Sequence, residues 1–496
     1  MLTESEFAAQ KALGHNRVPL VLESFADLDT PLSLYLKLAC AGRTSRDSFL
    51  LESVVGGERF GRYSFIGLPA TTRISAAGSA IAVTGPQGTE LAQGDPLAFV
   101  AEYLKRFSAA GVAHLPRFCG GLAGYFGYDC VRHVETKLAA TRPPASGALA
   151  GIPDMLLLLT EELAVVDNLS GKISLIVHAD PSETGAYGRA VARLDELRRL
   201  VRAPVKIPFE TGAAKSVASS EFGEAAFKRA VATAKEYIAA GDVMQVVISQ
   251  RMRRDFASNP LSLYRALRSV NPSPYMFYYD FGEFHVVGAS PEILVRKEGR
   301  DITLRPIAGT RPRGTTRDAD EALAAELLAD PKEVAEHVML VDLGRNDVGR
   351  VAATGSVRVT ERMVIERYSH VMHIVSNVEG ELPPGMTSVD VLRAAFPAGT
   401  VSGAPKVRAM QIIDELEPTA RGVYAGAVGY ISFQDDMDTA IALRTAVVKD
   451  GKLFVQAGGG IVHDSQPDAE WQETQNKARA LMRAADMVQD GLDAAS

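Results

Sequence analysis

Short apolar runs mark the first part of the chain, among them Phe49-Leu-Leu, Phe65-Ile and Met155-Leu-Leu-Leu-Leu, with turn residues and two or three helical stretches between them. Runs of this length bounded by turn formers predict strands. Further along, strand and helix patterns mix without the regular βαβ rhythm of a doubly wound sheet. The whole predicts an α+β fold with largely antiparallel sheets and flanking helices. Two stretches read as connections, residues 141–151 and the Ala-, Ser- and Gly-rich residues 203–223, and a helical pattern begins near Glu224. The second predicts a boundary near residue 215, with an N-terminal domain of residues 1–215 and a C-terminal domain of residues 216–496.

The length of 496 residues exceeds what one core usually organises, so two domains or one large intertwined domain are expected. A net charge of −7 argues against a general nucleic-acid binder and requires local cations or a metal for any anionic substrate. Three scattered cysteines suit neither a disulfide framework nor a zinc cluster, and read as core residues in a reducing compartment. An acidic N-terminus with no apolar segment behind it, and no apolar stretch of roughly 20 residues, predict a cytoplasmic protein away from membranes.

Candidate chemistry begins with Lys332-Glu333-Val-Ala-Glu336-His337, inside an apolar-periodic segment with Val334, Val338 and Val341. Helical periodicity puts Glu333 and Glu336 on one face. A second acidic stretch, Asp468-Ala-Glu470-Trp-Gln-Glu473-Thr-Gln-Asn476-Lys477, opens another long helix with Glu470, Glu473 and Lys477 on one face. Paired carboxylates repel unless a cation lies between them. Two such pairs suit Mg2+, which takes one or two carboxylates and fills its shell with water and substrate oxygens. Either pair alone also fits a solvated acidic face, and spacing does not bring the two helices together.

Phe396-Pro-Ala-Gly399-Thr400-Val-Ser402-Gly403-Ala-Pro405-Lys406 reads as a loop feeding a helix, with Ser402 the N-cap and Pro405 in the first turn. Free amides there suit a carboxylate or a ring hydroxyl, and an ordinary capped helix fits the same residues. Next, a strand from Asp438 through Arg444 is expected to form a hairpin, turning at Asp450-Gly451, with the strand containing Gln456. Alternation puts Arg444 on a face with Ala440, Ala442 and Ala446, leaving room for a planar anion, although a solvent-facing Arg fits equally. Ala457-Gly458-Gly459-Gly460 allows close backbone approach to a ligand or a tight turn, and matches no P-loop or dinucleotide fingerprint. His373, in a β-like apolar stretch, reads as a general base or as a structural histidine.

In this order the motifs resemble the chorismate-utilising enzyme family and, within it, the large subunits of anthranilate synthases. The matching stretches are Gly288-Ala-Ser-Pro-Glu292, Arg305-Pro-Ile-Ala-Gly309-Thr310-Arg311-Pro-Arg-Gly314, the Glu333 run continuing into Leu340-Val-Asp-Leu-Gly-Arg-Asn-Asp347, Tyr368-Ser-His370-Val-Met-His373, the Gly399 to Lys406 loop, and the segment from Gln456 to Lys477. They cover nearly all of residues 225–485.

The resemblance implies that family's fold, with an N-terminal regulatory subdomain. It implies one Mg2+ between Glu336 and Glu473, bridging to the ring carboxylate of chorismate, with Glu333 and Glu470 behind. It implies catalytic positions at Glu292, His373, Thr400 and Glu333. Substrate-binding positions follow at Gly309, Thr310, Tyr424, Arg444, Gly458, Gly459, Gly460 and Lys477. The implied reaction adds ammonia at C2 as the C4 hydroxyl leaves, with Glu292 as general acid, and then eliminates pyruvate with help from His373 to give anthranilate. Sister enzymes typically carry Lys where this chain has Ala308, a space suited to external ammonia.

Phe49-Leu-Leu51-Glu52-Ser53, Glu58-Arg-Phe-Gly-Arg62-Tyr-Ser-Phe-Ile-Gly67 and Asn271-Pro-Ser-Pro274-Tyr275-Met276-Phe-Tyr look like that subunit's tryptophan feedback pocket. The resemblance puts the inhibitor L-tryptophan against Ser53, Pro274, Tyr275 and Met276, although the first stretch also fits plain core packing. No cysteine sits in a nucleophile-elbow setting, so a separate glutamine amidotransferase subunit, or free ammonia, is expected to supply nitrogen. An aminodeoxychorismate synthase large subunit is the alternative enzyme, opposed by Ala308. A catalytically silent tryptophan-binding subunit is opposed by intact Glu292, Glu336, His373 and Glu473.

Overall fold

The computed structural model describes every residue except 41–45, 54–60, 112–114, 140, 142, 144–148, 209–211, 369–370 and 493–496. Glu58, Arg59 and Phe60 of one expected motif, Ser369 and His370 of another, and parts of both expected connections lie outside the described residues.

Among the described residues the strands form two sheets of 12 strands each. The paired strands in both run antiparallel, as the sequence pattern predicts. The two sheets pack face to face over an apolar layer containing Phe49, Phe118, Tyr125, Phe277, Tyr279, Tyr430 and Phe454. Helices Pro31–Leu38, Ala186–Val201, Pro260–Val270 and Pro467–Asp490 cover the outer face of one sheet. Helices Pro96–Leu104 and Ser388–Ala395 cover the outer face of the other. Burial on both faces explains why the apolar runs are continuous rather than alternating. In the fully buried strand Met155–Thr160, Met155, Leu157 and Leu159 point to the helix-covered core while Leu156 and Leu158 point between the sheets.

Residue 215 falls in the connection between helices Ala186–Val201 and Glu224–Ala239. Each sheet, however, takes strands from both sides of it. Strand Ser48–Glu52 pairs with Tyr275–Asp280, Tyr278 opposite Leu50. Strand Gly121–Phe126 pairs with Ala427–Ser432, Gly124 opposite Gly429. The topology is thus the intertwined alternative, because both sheets continue across the expected boundary.

The stretch around Arg444 departs from the expected single strand. Met437–Ile441 belongs to one sheet and Thr445–Lys449 to the other, and Arg444 sits at the crossing with φ 46°. Alternation therefore does not set its direction, since the chain leaves extended geometry there. The turn itself is as expected. Lys449 faces Lys452, and Asp450 and Gly451 both take positive φ, 49° and 68°, as a type I′ hairpin requires.

Candidate active site

Two helices bring the carboxylates together. Helix Pro331–Gly349 starts where Asp330 accepts the amides of Lys332 and Glu333 and Pro331 occupies the first turn. Helix Pro467–Asp490 buries Thr474, Ala478, Leu481 and Ala485, which leaves Glu473 and Lys477 each 47% exposed while Glu470 is buried. Glycines let the neighbouring strands approach these acids. A Cβ on Gly459 would lie 2.8 Å from Glu470 Oε2 and 3.7 Å from Glu473 Oε1, and one on Gly309, where φ is +69°, would lie 3.2 Å from Glu333 Oε2. At Gly460 a side chain would collide with Gln245.

Charge couples the two helices. Burial raises the Glu336 pKa, Glu333 and Glu473 raise it further, and Lys332 and Lys477 oppose the rise. Burial likewise raises Glu470, with Glu473 adding to it and the Ser465 hydroxyl opposing. Glu336 thus feels Glu473 across the gap that sequence spacing left open. Counter-charges are close, with Lys477 Nζ 2.7 Å from Glu473 Oε1 and Arg311 Nη1 3.2 Å from Glu333 Oε1. Lys477 Nζ also donates to the Gly458 carbonyl at 2.9 Å.

These residues fit a hard divalent cation. Glu470 Oε2 is buried and accepts no hydrogen bond, a costly state that a cation or its water would relieve. Among the described residues no three His, Cys, Asp or Glu side chains converge into a finished metal cage. Two carboxylate pairs that leave coordination positions to water and substrate match Mg2+ better than Ca2+, which takes more oxygens from its protein.

Glu292 lies between strands His285–Ser290 and Ile293–Glu298. It lines a cavity of about 40 Å3 with Thr400, Gly399, Arg305, Pro306 and Asp347. Burial pushes its pKa up to about 8, and the neighbouring Thr400 hydroxyl holds the rise back. Thr400 Oγ1 is itself buried without a completed hydrogen bond. Thr400 stands on the turn Gly399–Val401, where a side chain at Gly399 would collide with Leu343. The expected Ser402 cap is not made. Ser402 Oγ donates to the Ala398 carbonyl at 2.9 Å, residues 403–404 pair with strand Gln245–Asp255, and helix Lys406–Leu416 begins behind Pro405 without a side-chain cap. Pairing with the sheet outcompetes local capping there.

His373 lies on strand Val371–Glu381, its Nδ1 2.9 Å from the Gly309 carbonyl and 3.1 Å from Thr310 Oγ1. Burial lowers its pKa, and Arg444 adds to the lowering. A carbonyl only accepts, so the proton belongs on Nδ1 and the Nε2 lone pair is free. Arg444 is lowered by burial and reaches Asn271 Oδ1 at 3.5 Å. Tyr424 is buried, its hydroxyl 3.0 Å from where a Gly458 Cβ would stand, and burial raises its pKa to about 12.

Ser53, Pro274, Tyr275 and Met276 stand apart from this group and share one cavity of about 80 Å3 with Phe65, Tyr430, Arg296 and Asp438. Tyr275 donates to Asp438 at 3.1 Å, and Arg296 pairs with the same carboxylate at 2.7 Å. Two buried ion pairs close to the site were not singled out from sequence. Lys406 meets both oxygens of Asp347 at 2.8 Å, and Arg421 meets Glu417 at 2.7 Å. The four-residue spacing of Glu417 and Arg421 was the available signal.

A family model described as chorismate binding enzyme matches residues 49–483. The chain is 59% identical over 494 residues to anthranilate synthase component 1 of Neisseria gonorrhoeae, covering 99% of this chain and 100% of that protein. It is 54% identical over 499 residues to anthranilate synthase component 1 of Pseudomonas aeruginosa, covering 99% and 100%. The crystal structure of anthranilate synthase component I from Streptococcus pneumoniae superposes with a TM-score of 0.77 at 38% identity, over 87% of this chain and 94% of that one.

Proposed function

Since the chain belongs to the chorismate binding enzyme family, we propose that it is the chorismate-converting large subunit of an anthranilate synthase, turning chorismate and ammonia into anthranilate, pyruvate and water. The observation that carries this reading is the convergence of two carboxylate pairs from separate helices, Glu336 sensing Glu473, on the glycine backbone at Gly309 and Gly459, with His373 held at the Gly309 carbonyl. The buried acid Glu292 beside Thr400 supplies the general acid. Full-length relatives named anthranilate synthase component 1 support the choice of product, as does Ala308, buried on strand Ile307–Pro312 with no amine to offer.

The residues divide the chemistry by charge state. Glu292, protonated below about pH 8, donates its proton to the departing C4 hydroxyl, which leaves as water while ammonia bonds to C2. His373, neutral because burial lowers its pKa, removes the C2 proton through Nε2. Pyruvate then leaves and the ring becomes aromatic. Thr310 and the Gly309 carbonyl keep the imidazole in the required tautomer. Arg444, Lys477 and the backbone of residues 458–460 orient the anionic substrate, with Tyr424 against Gly458. Mg2+ held by Glu336 and Glu473, with Glu333 and Glu470 behind them, supplies Lewis-acid withdrawal of charge when bound.

Two further parts complete the reading. A glutamine amidotransferase subunit delivers the ammonia. L-tryptophan occupies the cavity of Ser53, Pro274, Tyr275 and Met276 as feedback inhibitor, a role supported by convergence of these residues from both halves of the chain on one pocket. The deciding assay incubates the purified chain with chorismate, an ammonium salt and Mg2+ and follows anthranilate fluorescence. Accumulation of aminodeoxychorismate, or no turnover, would sink the assignment.

A further inference from the structure

Glu417 and Arg421 form an ion pair that is nearly sealed from solvent, with side-chain exposures of 2% and 1%. Arg421 Nε donates to Glu417 Oε2 at 2.9 Å, and Nη2 donates to Glu417 Oε1 at 2.7 Å and to the Val247 carbonyl at 2.8 Å. Nη1 donates to the Val401 carbonyl at 2.6 Å. Glu417 Oε1 also accepts the amide and the hydroxyl of Ser249, both at 2.7 Å. Ser249 stands opposite Gly458 in the ladder of strands Gln245–Asp255 and Lys452–Ile461. The guanidinium carbon lies 5.7 Å from the centre of the Tyr424 ring.

One ion pair therefore joins two sides of the candidate site. Val401 follows Thr400, which stands beside Glu292. Ser249 backs Gly458, which stands beside Tyr424. A buried ion pair is a poor device for stability alone, since apolar side chains of similar volume often serve as well. Its forked donors instead fix distances between separate backbone segments.

We propose that Arg421, oriented by Glu417, is a positioning residue that sets the Thr400 loop against Glu292 while holding the strand of Gly458 and the ring of Tyr424. The inference rests on the reading of Glu292 as general acid in the ammonia-dependent turnover of chorismate. The strand of Gly458 has further anchors in its ladder from Ile461 to Lys452 and in Lys477. The turn Gly399–Val401 has no ladder of its own, so the effect of loosening Arg421 falls mainly on Thr400. Lysine cannot replace the fork, because an ammonium is a point donor.

The test compares Arg421→Lys, Thr400→Val and the double substitution in the full-length chain, assayed with chorismate, ammonium and Mg2+. Arg421→Lys lowers kcat about tenfold or more and leaves KM for chorismate within about threefold. It also moves the alkaline limb of the kcat–pH profile upward, as Thr400→Val does, because the hydroxyl no longer favours the Glu292 carboxylate. The double variant is no slower than the slower single one. Asp347 and Arg305, which line the cavity beside Glu292, are the same in all three. A folded Arg421→Lys with an unmoved limb, or fully additive losses in the double variant, overturns the proposal. Should Arg421→Lys not fold, Glu417→Gln keeps the shape and carries the same test, and an unmoved limb and unchanged kcat there overturn it. A wild-type chain inactive on chorismate overturns the functional reading, whereas an active wild type with these negative results overturns the positioning role alone.

Discussion

Lys477 Nζ lies 2.7 Å from Glu473 Oε1, one turn earlier on the same helix. The pairing holds the Glu473 carboxylate toward Gly459 and the other acidic helix, and it partly offsets the repulsion that bringing the acids together creates. If Glu473 is a direct Mg2+ ligand, Glu473→Gln removes a ligand charge with almost no change of shape. Activity in saturating Mg2+ is expected to fall on the order of a hundredfold, and the Mg2+ concentration giving half-maximal rate to rise by about tenfold or more. An Mg2+ titration of rate measures both, and unchanged Mg2+ dependence would remove Glu473 from the metal site.

Glu292 sets a pH limit. Its folded pKa, raised by burial to about 8, means the acid is protonated below that pH and becomes a carboxylate above it. A required general acid therefore makes kcat fall as pH rises through about 8, with no loss on the acidic side from this group. Glu292→Gln should lower kcat by roughly a hundredfold or more and abolish the alkaline limb that the wild type shows. Retention of that limb in the variant would assign it to another group.

Two glycines on neighbouring parts of one chain segment should behave oppositely. Gly459→Ala places a methyl 2.8 Å from Glu470 Oε2 and 3.7 Å from Glu473 Oε1, against the acidic pair, and is expected to lower activity about tenfold or more. Gly451→Ala meets open space but has φ +68°, so it costs stability of about 1 kcal/mol and leaves kcat unchanged. Melting temperature and kcat measured on both variants distinguish the two effects. Equal losses of activity would mean that the Gly459 backbone has no special closeness to the acidic site.

How much of this was legible depended on range. The acidic pairs, the Asp450-Gly451 turn and the strand around Met155 are local patterns, set by helix period, turn chemistry and burial on both faces, and they read directly from the chain. Arg444 did not, because a strand that changes sheets looks the same in sequence as one that continues, and the break at φ 46° comes from tertiary packing. Ser402 likewise looks like a cap until residues 403–404 are claimed by the sheet. Glu473 lies near enough to Glu336 to raise its pKa, a proximity between segments distant in sequence, which no spacing rule encodes.

Ser53 shares its cavity with Pro274 and Met276 and lies away from the acidic helices. If L-tryptophan binds there, Ser53→Ala should raise the tryptophan concentration for half-inhibition by about tenfold and leave uninhibited turnover within about twofold of wild type. Rate measured against tryptophan at fixed chorismate tests it. An unchanged inhibition curve would move the inhibitor elsewhere or exclude a role for that hydroxyl.

The continuity of both sheets across residue 215 makes a prediction about truncation. Residues 216–496 contain every expected metal, catalytic and substrate-binding residue, so the linear motif order suggests a self-sufficient catalytic piece. Cutting there would strip strand Ser48–Glu52 from Tyr275–Asp280 and strand Gly121–Phe126 from Ala427–Ser432. Each newly bared strand is apolar on the face that packs between the sheets, where Phe277, Tyr279, Val428 and Tyr430 meet Phe49, Phe118 and Tyr125. An unpaired apolar edge of this kind recruits other chains. Residues 216–496 expressed alone should therefore aggregate, and co-expression with residues 1–215 should recover soluble protein with activity, because the missing strands are supplied in trans. Sedimentation and anthranilate formation from the two preparations read the outcome. A soluble, cooperatively melting and active C-terminal piece would show that the boundary between sequence halves is also a boundary between folding units.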